Sequence, residues 1–171
     1  MAKNNNKRSV FYLCVTLIII LSSCASSPPP SDGEVNIPLI SSSLDFSLIE
    51  EREWILHEIQ RPREVILMNR ESLDLEGYGD VFTIYFSFDR VSGRGAPNSY
   101  SGPYTAGSGM TIDIGLLLTT MIAPLRVREG ITEHEYFALL YASTRWDLID
   151  GRLILYSTEN NAEAVLVFVE N

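Results

Sequence analysis

Cysteine and histidine are scarce in this sequence, which has two of each among its 171 residues. The cysteines are Cys14 and Cys24, and the histidines are His57 and His134. Both cysteines lie near the N-terminus, so the rest of the chain has no thiol for a disulfide framework or a zinc–cysteine site. Two histidines exclude a three-histidine metal set. We expect no metal and no cofactor, and a fold that rests on packing alone.

A long hydrophobic run is also missing. The longest, Val10 to Leu21, is well short of the roughly 20 residues that a membrane-spanning helix needs. It follows three basic residues and precedes the small pair Ser22–Ser23, which is the layout of a secretory signal. The sequence therefore predicts a signal peptide over residues 1–23.

The end of this signal, Leu21-Ser22-Ser23-Cys24, resembles the lipobox of bacterial lipoproteins. In that family the cysteine sulfur receives a diacylglyceryl group, the signal is removed, and the new amino terminus is acylated with a chain such as palmitate. The resemblance implies that Cys24 is lipidated and begins the mature protein. No aspartate follows it, which by resemblance to the sorting pattern favours the outer membrane. We expect a lipid-anchored protein of the bacterial cell envelope that faces the periplasm.

Positive charge is scarce after the signal. All 22 acidic residues but only ten of the 13 basic ones follow Cys24, which gives the mature chain a formal charge of −12. Such a domain is repelled by nucleic acid phosphates and by anionic lipid headgroups. We expect no nucleic acid partner, and attachment to the membrane through the acyl chains on Cys24, each buried methylene contributing about 0.8 kcal/mol.

The chain after the signal divides into two regions. Residues 24–49 include the stretch SSPPPSDG, and this Ser/Pro-rich composition is typical of a semi-rigid tether. Residues 50–171 are enough for a single small domain with its own core.

Strand patterns dominate that domain. The segments EWILHEI and EVILMN predict one strand pair, and MTIDI predicts a further strand. Asp150-Gly151 between two apolar runs predicts a type I′ hairpin, and Asn160-Asn161 predicts the turn into the last strand. The segment VFTIYFSFD alternates, which predicts one buried face made by Phe82, Ile84, Phe86 and Phe88. We predict an antiparallel β-sheet meander.

One main helix interrupts the strands. Thr132 and Glu135 have the spacing of a capping box at its start. An apolar stripe at helical spacing is predicted to pack on the sheet and consists of Phe137, Leu140, Tyr141 and Thr144. A shorter helical or loop segment is predicted over residues 116–125, ended by Pro124. The predicted fold class is α+β, with the meander packed against this one helix.

The loop VSGRGAPNSYSGPY, residues 91–104, carries a recognisable pattern. It matches the form V-S-G-x-x-G-C-N-x-[YF]-x-G-x-Y at Val91, Ser92, Gly93, Asn98, Tyr100, Gly102 and Tyr104. On these residues and the order of the surrounding segments, the chain resembles the META domain family, the HslJ-like bacterial lipoproteins, over about residues 53–169. A later family pattern, T-x-M-A-C, matches at Thr119 and Met121. The two family cysteines are replaced by Pro97 and Ala123, so a redox function through them is excluded.

The same loop has two interpretations. Its glycines and prolines explain a tight connection between two strands, in which Asn98 bonds local backbone, and we prefer this structural explanation. As an alternative, Asn98, Tyr100 and Tyr104 form a candidate recognition loop, which requires the two tyrosines to be exposed.

Catalytic motifs are missing too: the sequence shows no nucleophile elbow, zinc-protease helix or dinucleotide fingerprint, and we expect no enzyme. The resemblance implies a binding, assembly or envelope-stress role, and the family fold is similar to secretion pilotins, which bind a hydrophobic segment of an envelope protein partner. The alternative is a carrier that holds an acyl chain or small apolar ligand in an interior lined by Phe82, Phe86, Leu140 and Tyr141.

Overall fold

The computed structural model describes residues 44–123, 131–159 and 162–171. Within these ranges, a short N-terminal 3₁₀ helix (Phe46–Leu48) precedes two α-helices, α1 (Arg70–Leu75) and α2 (Glu133–Tyr141). The ten strands of the same ranges are β1 (Glu53–Arg61), β2 (Glu64–Leu67), β3 (Thr83–Ser87), β4 (Arg90–Arg94), β5 (Ser99–Gly107), β6 (Thr111–Ile114), β7 (Leu118–Thr119), β8 (Ser143–Ile149), β9 (Arg152–Glu159) and β10 (Ala162–Glu170).

Eight of these strands close into an antiparallel barrel in the order β1-β3-β4-β5-β6-β8-β9-β10. Strand β10 pairs back onto β1, with Trp54 opposite Glu170 and Gln60 opposite Val165. Strand β2 is added beside β1, and β7 pairs with β5 beyond the end of β6. The predicted antiparallel pairing is therefore confirmed, but the fold is mostly β with short helices instead of α+β, and the strands form a barrel instead of a simple meander sheet. Strand twist brings its two edges together, and nothing local in the sequence signals that pairing.

Several local predictions are confirmed. Asp150 and Gly151 have φ angles of 51° and 73°, as the two central residues of a type I′ turn require. Strands β1 and β2 pair as predicted, and Phe82, Ile84 and Phe86 are fully buried. The turn predicted at Asn160-Asn161 lies outside the described residues, as do residues 1–43 with the predicted signal, Cys24 and most of the predicted tether.

Phe88 was predicted to lie on the buried face, and this prediction is wrong. Strand β3 ends at Ser87, so Phe88 falls in the turn to β4, where it is 91% exposed and has a φ of 54°. The segment predicted as helical or loop at residues 116–125 is, over residues 116–123, a loop that contains the two-residue strand β7, and its predicted end at Pro124 lies outside the described residues. Its Leu118 and Thr119 pair with Ser101 and Tyr100 of β5, and this ladder decides the conformation.

Helix α2 begins at the predicted cap, since the Glu135 N–H donates to Thr132 Oγ1 at 3.2 Å. The other half of the predicted capping box is not formed, because the Glu135 carboxylate bonds Arg61. Its buried face differs from the predicted stripe by one position and is made by Tyr136, Leu139 and Leu140. Tyr141 is exposed, and Thr144 lies beyond the helix in β8. Aromatic residues at 136, 137 and 141 make the two helical stripes alike in sequence, and contact with the barrel selects one of them.

The Arg70 side chain, at the start of α1, links β1 to the residues before β3 by hydrogen bonds. Its guanidinium donates to the carbonyl oxygens of Leu56 and Val81, the latter at 2.8 Å. Burial lowers the pKa of Arg70 to about 10. The side chain therefore joins α1 to the barrel through backbone acceptors.

The two ends of the barrel are covered by different elements. At the Phe46 end, where β3 stops, the Phe46 ring packs against Phe86, Tyr104 and Trp146 with centroid distances of 5.0–5.3 Å. At the α2 end, where β3 begins, Tyr136 packs edge-on against Phe82 at 5.2 Å. Among the described helices, none is both long enough and apolar enough to cross a membrane.

Candidate functional site

The side chain of Asn98 is buried at the α2 end, where only 6% of the residue is exposed. Its Nδ2 donates to Glu133 Oε2 at 2.7 Å and to the Ile122 carbonyl at 3.1 Å. Its Oδ1 accepts from Thr120 Oγ1 at 2.9 Å and from the Ile122 N–H at 2.7 Å. An amide offers two donors and two acceptor positions, so every one is used. We call Asn98, Thr120, Ile122 and Glu133 the Asn98 latch.

The Asn98 latch joins three separate parts of the chain: the loop after β4, the segment after β7, and the first turn of α2. Glu133 strengthens this junction because its Oε1 also accepts the Asn98 N–H at 2.6 Å. Gly95 allows the approach, since a β-carbon there would lie 2.6 Å from Glu133 Oε1 and 2.7 Å from Phe137 Cζ. The latch therefore fixes the position of β7 relative to α2.

Tyr100 is also buried at the α2 end, beside Tyr136. Both hydroxyls donate to the Thr83 carbonyl, at 2.8 Å from Tyr100 and 3.0 Å from Tyr136. Burial raises the pKa of both phenols, because it disfavours the charged phenolate. Gly93 lies against the same carbonyl so closely that a β-carbon would collide with it. This contact explains why the V-S-G sequence ends in glycine.

Tyr104 lies at the Phe46 end, away from the other two predicted site residues. Its hydroxyl donates to the Glu50 carboxylate and lies 3.1 Å from the Phe88 carbonyl. Burial, followed by the hydrogen bond to Glu50, raises the pKa of Tyr104. Asn98, Tyr100 and Tyr104 are thus not brought together at one place, and all three side chains are buried in contacts within the protein.

An exposed apolar surface beside the latch was not predicted. It consists of large side chains that are between 59% and 98% exposed: Leu116, Leu118, Met121, Ile122 and Tyr141. We call these five residues the β7–α2 surface. Leu116 and Tyr141 line a shallow cleft of about 230 Å³ between the β7 segment and α2, together with Leu117, His134, Phe137 and Ala138. The uncharged sequence LLLTTMIA was the available signal, but such a run is equally typical of a core segment.

The residues proposed from sequence to line a carrier interior are separated. Phe82, Phe86 and Leu140 are fully buried in the packed core, whereas Tyr141 is on the outside. Within the part of the chain that the structure describes, no three His, Cys, Asp or Glu side chains are grouped so that they could hold a metal ion.

Comparison with known proteins gives one family match. The model of the META domain family matches residues 48–171. An NMR structure of a protein from Burkholderia xenovorans superposes with a TM-score of 0.55 at 19% sequence identity, covering 84% of this chain and 98% of that one. The crystal structure of a duf4847 family protein from Bacteroides vulgatus has a TM-score of 0.47 at 14% identity, covering 73% and 96%. A search of curated proteins found no match. The Burkholderia protein is similar to this chain in fold.

Proposed function

The chain belongs to the META domain family, and we propose that it is a non-catalytic binding protein, lipid-anchored in the bacterial envelope, that recognises an apolar segment of a partner protein. The binding site in this proposal is the β7–α2 surface. The hydrogen bonds of the Asn98 latch hold that surface in place, and of the four latch residues only Ile122 also belongs to the surface.

The observation that carries the proposal is the exposure of five large apolar side chains on neighbouring elements. Single exposed apolar residues are ordinary, but a group of them beside a cleft is typical of an interaction site. Burial of such side chains contributes roughly 25 cal/mol per Å² of apolar area removed from water. None of the five side chains is charged, so the matching partner surface is apolar as well.

The rigidity of the site supports the same conclusion. Binding is weakened when loops must become ordered at the interface. Here Ile122 is held through both its N–H and its carbonyl, and Leu118 is held in the ladder with β5. The surface is therefore organised before a partner arrives.

Anchoring is the second part of the proposal and rests on the sequence around Cys24. Lipidation at this residue would place the barrel at the membrane surface on its Ser/Pro-rich tether. The test is fractionation of a Cys24→Ser variant expressed in a bacterial host. We expect it to leave the membrane fraction, and its retention there would disprove lipid anchoring.

The recognition part is tested with a photocrosslinking amino acid at Met121 in the full chain, expressed in its bacterial envelope. Leu75 on α1 provides a matched control, since it is also a large and highly exposed apolar side chain. We expect a discrete protein adduct from position 121 and none of the same mass from position 75. Introducing Leu118→Glu should remove the adduct without unfolding the barrel. An adduct that forms equally from both positions, or that survives Leu118→Glu, contradicts recognition by this surface.

A further inference from the structure

The part of the barrel formed by β9 and β10 is apolar on both of its faces. Ile154 and Val167 are only 7% and 3% exposed, yet neither belongs to the core cluster inside the barrel. Their sequence neighbours Leu153, Leu155 and Phe168 do belong to that cluster, and successive side chains of a strand point to opposite faces. Ile154 and Val167 therefore lie on the outer face. Continuous apolar runs, such as LILY and AVLVFV here, are typical of strands that are covered on both faces.

Cross-strand pairing extends this outer face over β8, β9, β10, β1 and β2. Ile154 lies opposite Val167, Val167 lies opposite Glu58, and Glu58 lies opposite Leu67. Residues that are paired in this way share one face of a sheet. We call this face the outer wall, and its apolar side chains include Leu67, Ile149, Ile154, Tyr156, Val165 and Val167. The outer wall shares no residue with the β7–α2 surface.

Opposite charges lie on the two sides of the Ile154–Val167 pair. Arg152 is two residues before Ile154 in β9, and Glu58 lies opposite Val167 in β1. All four residues line one cleft of about 510 Å³, and Asp150 lines it from the β8–β9 turn beyond Arg152. Among the described residues, neither Arg152 nor Glu58 forms an ion pair. The order across the outer wall is therefore cation, Ile154, Val167 and anion.

This order is complementary to itself under a twofold rotation. An axis between Ile154 and Val167 places each of them against the other in a second copy, and it places Arg152 of each copy against Glu58 of the other. Closed dimers have this pattern, in which residue i contacts j and j contacts i. The net charge of −9 on each chain is screened beyond about 8 Å at physiological salt, so local pairs decide the contact. We propose that two copies of this chain associate face to face through the outer wall.

The experiment is sedimentation velocity of the purified full chain in mild detergent. The apolar centre is small, so we expect a reversible dimer with a Kd on the order of 10 μM. Arg152→Glu and Glu58→Arg each create two like-charge contacts across the interface and should weaken the dimer about 100-fold. An equimolar mixture of these two variants restores both ion pairs and should form a heterodimer with about the original Kd. That recovery would also show that both variants fold.

Two control variants distinguish the outer wall from other routes of association. Arg90→Glu reverses an exposed charge in β4, and Leu118→Glu alters the β7–α2 surface. Each should change the Kd by less than about twofold. The proposal is overturned if the chain stays monomeric at about 100 times the expected Kd, including the case in which native mass spectrometry shows a small molecule or another protein bound instead. Association that Arg152→Glu does not weaken, or that the mixture does not restore, also overturns it.

Discussion

The two ends of the barrel differ in how completely their buried polar groups are paired. At the α2 end, the Asn98 amide and the Tyr100 and Tyr136 hydroxyls all have hydrogen-bond partners. At the Phe46 end, aromatic rings pack against one another and one buried donor, Trp146 Nε1, has no partner in the described part of the chain. Directional bonds fix a single arrangement, whereas apolar rings tolerate small displacements. The comparison indicates that the α2 end is fixed by paired polar groups, whereas aromatic packing carries more of the contact at the Phe46 end.

The largest expected effect is at the α2 end. Tyr136→Ala removes a fully buried ring and its bond to the Thr83 carbonyl, and should lower the free energy of unfolding by about 4 kcal/mol. Tyr136→Phe keeps the ring and should cost about 1 kcal/mol. Urea denaturation of the folded variants measures both. Equal losses of unfolding free energy in the two variants would mean that packing of the Tyr136 ring does not stabilise the α2 end.

Opening the latch should be the next largest change. Asn98→Ala leaves Glu133 Oε2 and both backbone groups of Ile122 without the side chain that bonds them, which should cost about 3 kcal/mol. Ser99→Ala is the control, because the side chain at 99 is exposed and its loss should change stability by less than about 0.5 kcal/mol. A loss as small as that of the control would show that water replaces the amide without penalty.

Phe46→Ala tests the other end. The ring is only partly buried but contacts three aromatic side chains, so we expect a loss of about 2 kcal/mol, smaller than for Tyr136→Ala. The fluorescence emission of the folded variant should shift to the red as Trp146 becomes accessible to water. If Phe46→Ala is the more destabilising of the two, the assignment of the adaptable end is reversed.

The smallest expected effect is a gain. Phe88 has a φ of 54° in the β3–β4 turn and is almost fully exposed. Phe88→Gly should therefore relieve backbone strain and stabilise the protein by about 1 kcal/mol. Phe88→Ala removes the ring but keeps a β-carbon, and should leave stability nearly unchanged. Thermal unfolding of both variants separates backbone strain from loss of the ring.

Features set by neighbouring residues could be predicted from sequence. The Asp150-Gly151 turn needs only two residues that adopt positive φ, and the start of α2 needs only the Thr132 side chain as a cap. Phe88 was assigned wrongly because apolar alternation continues past the point where β3 stops. Barrel closure was missed because the pairing of β1 with β10 joins the two ends of the domain.

The candidate site was harder to predict for the same reason. Asn98 was recognised as important for its loop, but its side chain is bonded to residues 22 to 35 positions away in sequence. Those partners also place LLLTTMIA on the surface, and hydrophobicity alone cannot distinguish that position from the core. The sequence pattern therefore identified Asn98 but did not predict the β7–α2 surface that Asn98 holds in place.

The pairing of β1 with β10 also affects how the protein acquires its structure. Each hairpin can form as soon as its own two strands are available. The β1–β10 pairing needs segments from both ends of the domain, and this large sequence separation slows its formation. A chain that emerges from its N-terminus onwards therefore keeps one edge of β1 unpaired until the last strand, β10, has appeared. During that interval the unpaired edge of β1 can pair with another chain. The rate of barrel closure therefore governs the competition between folding and aggregation.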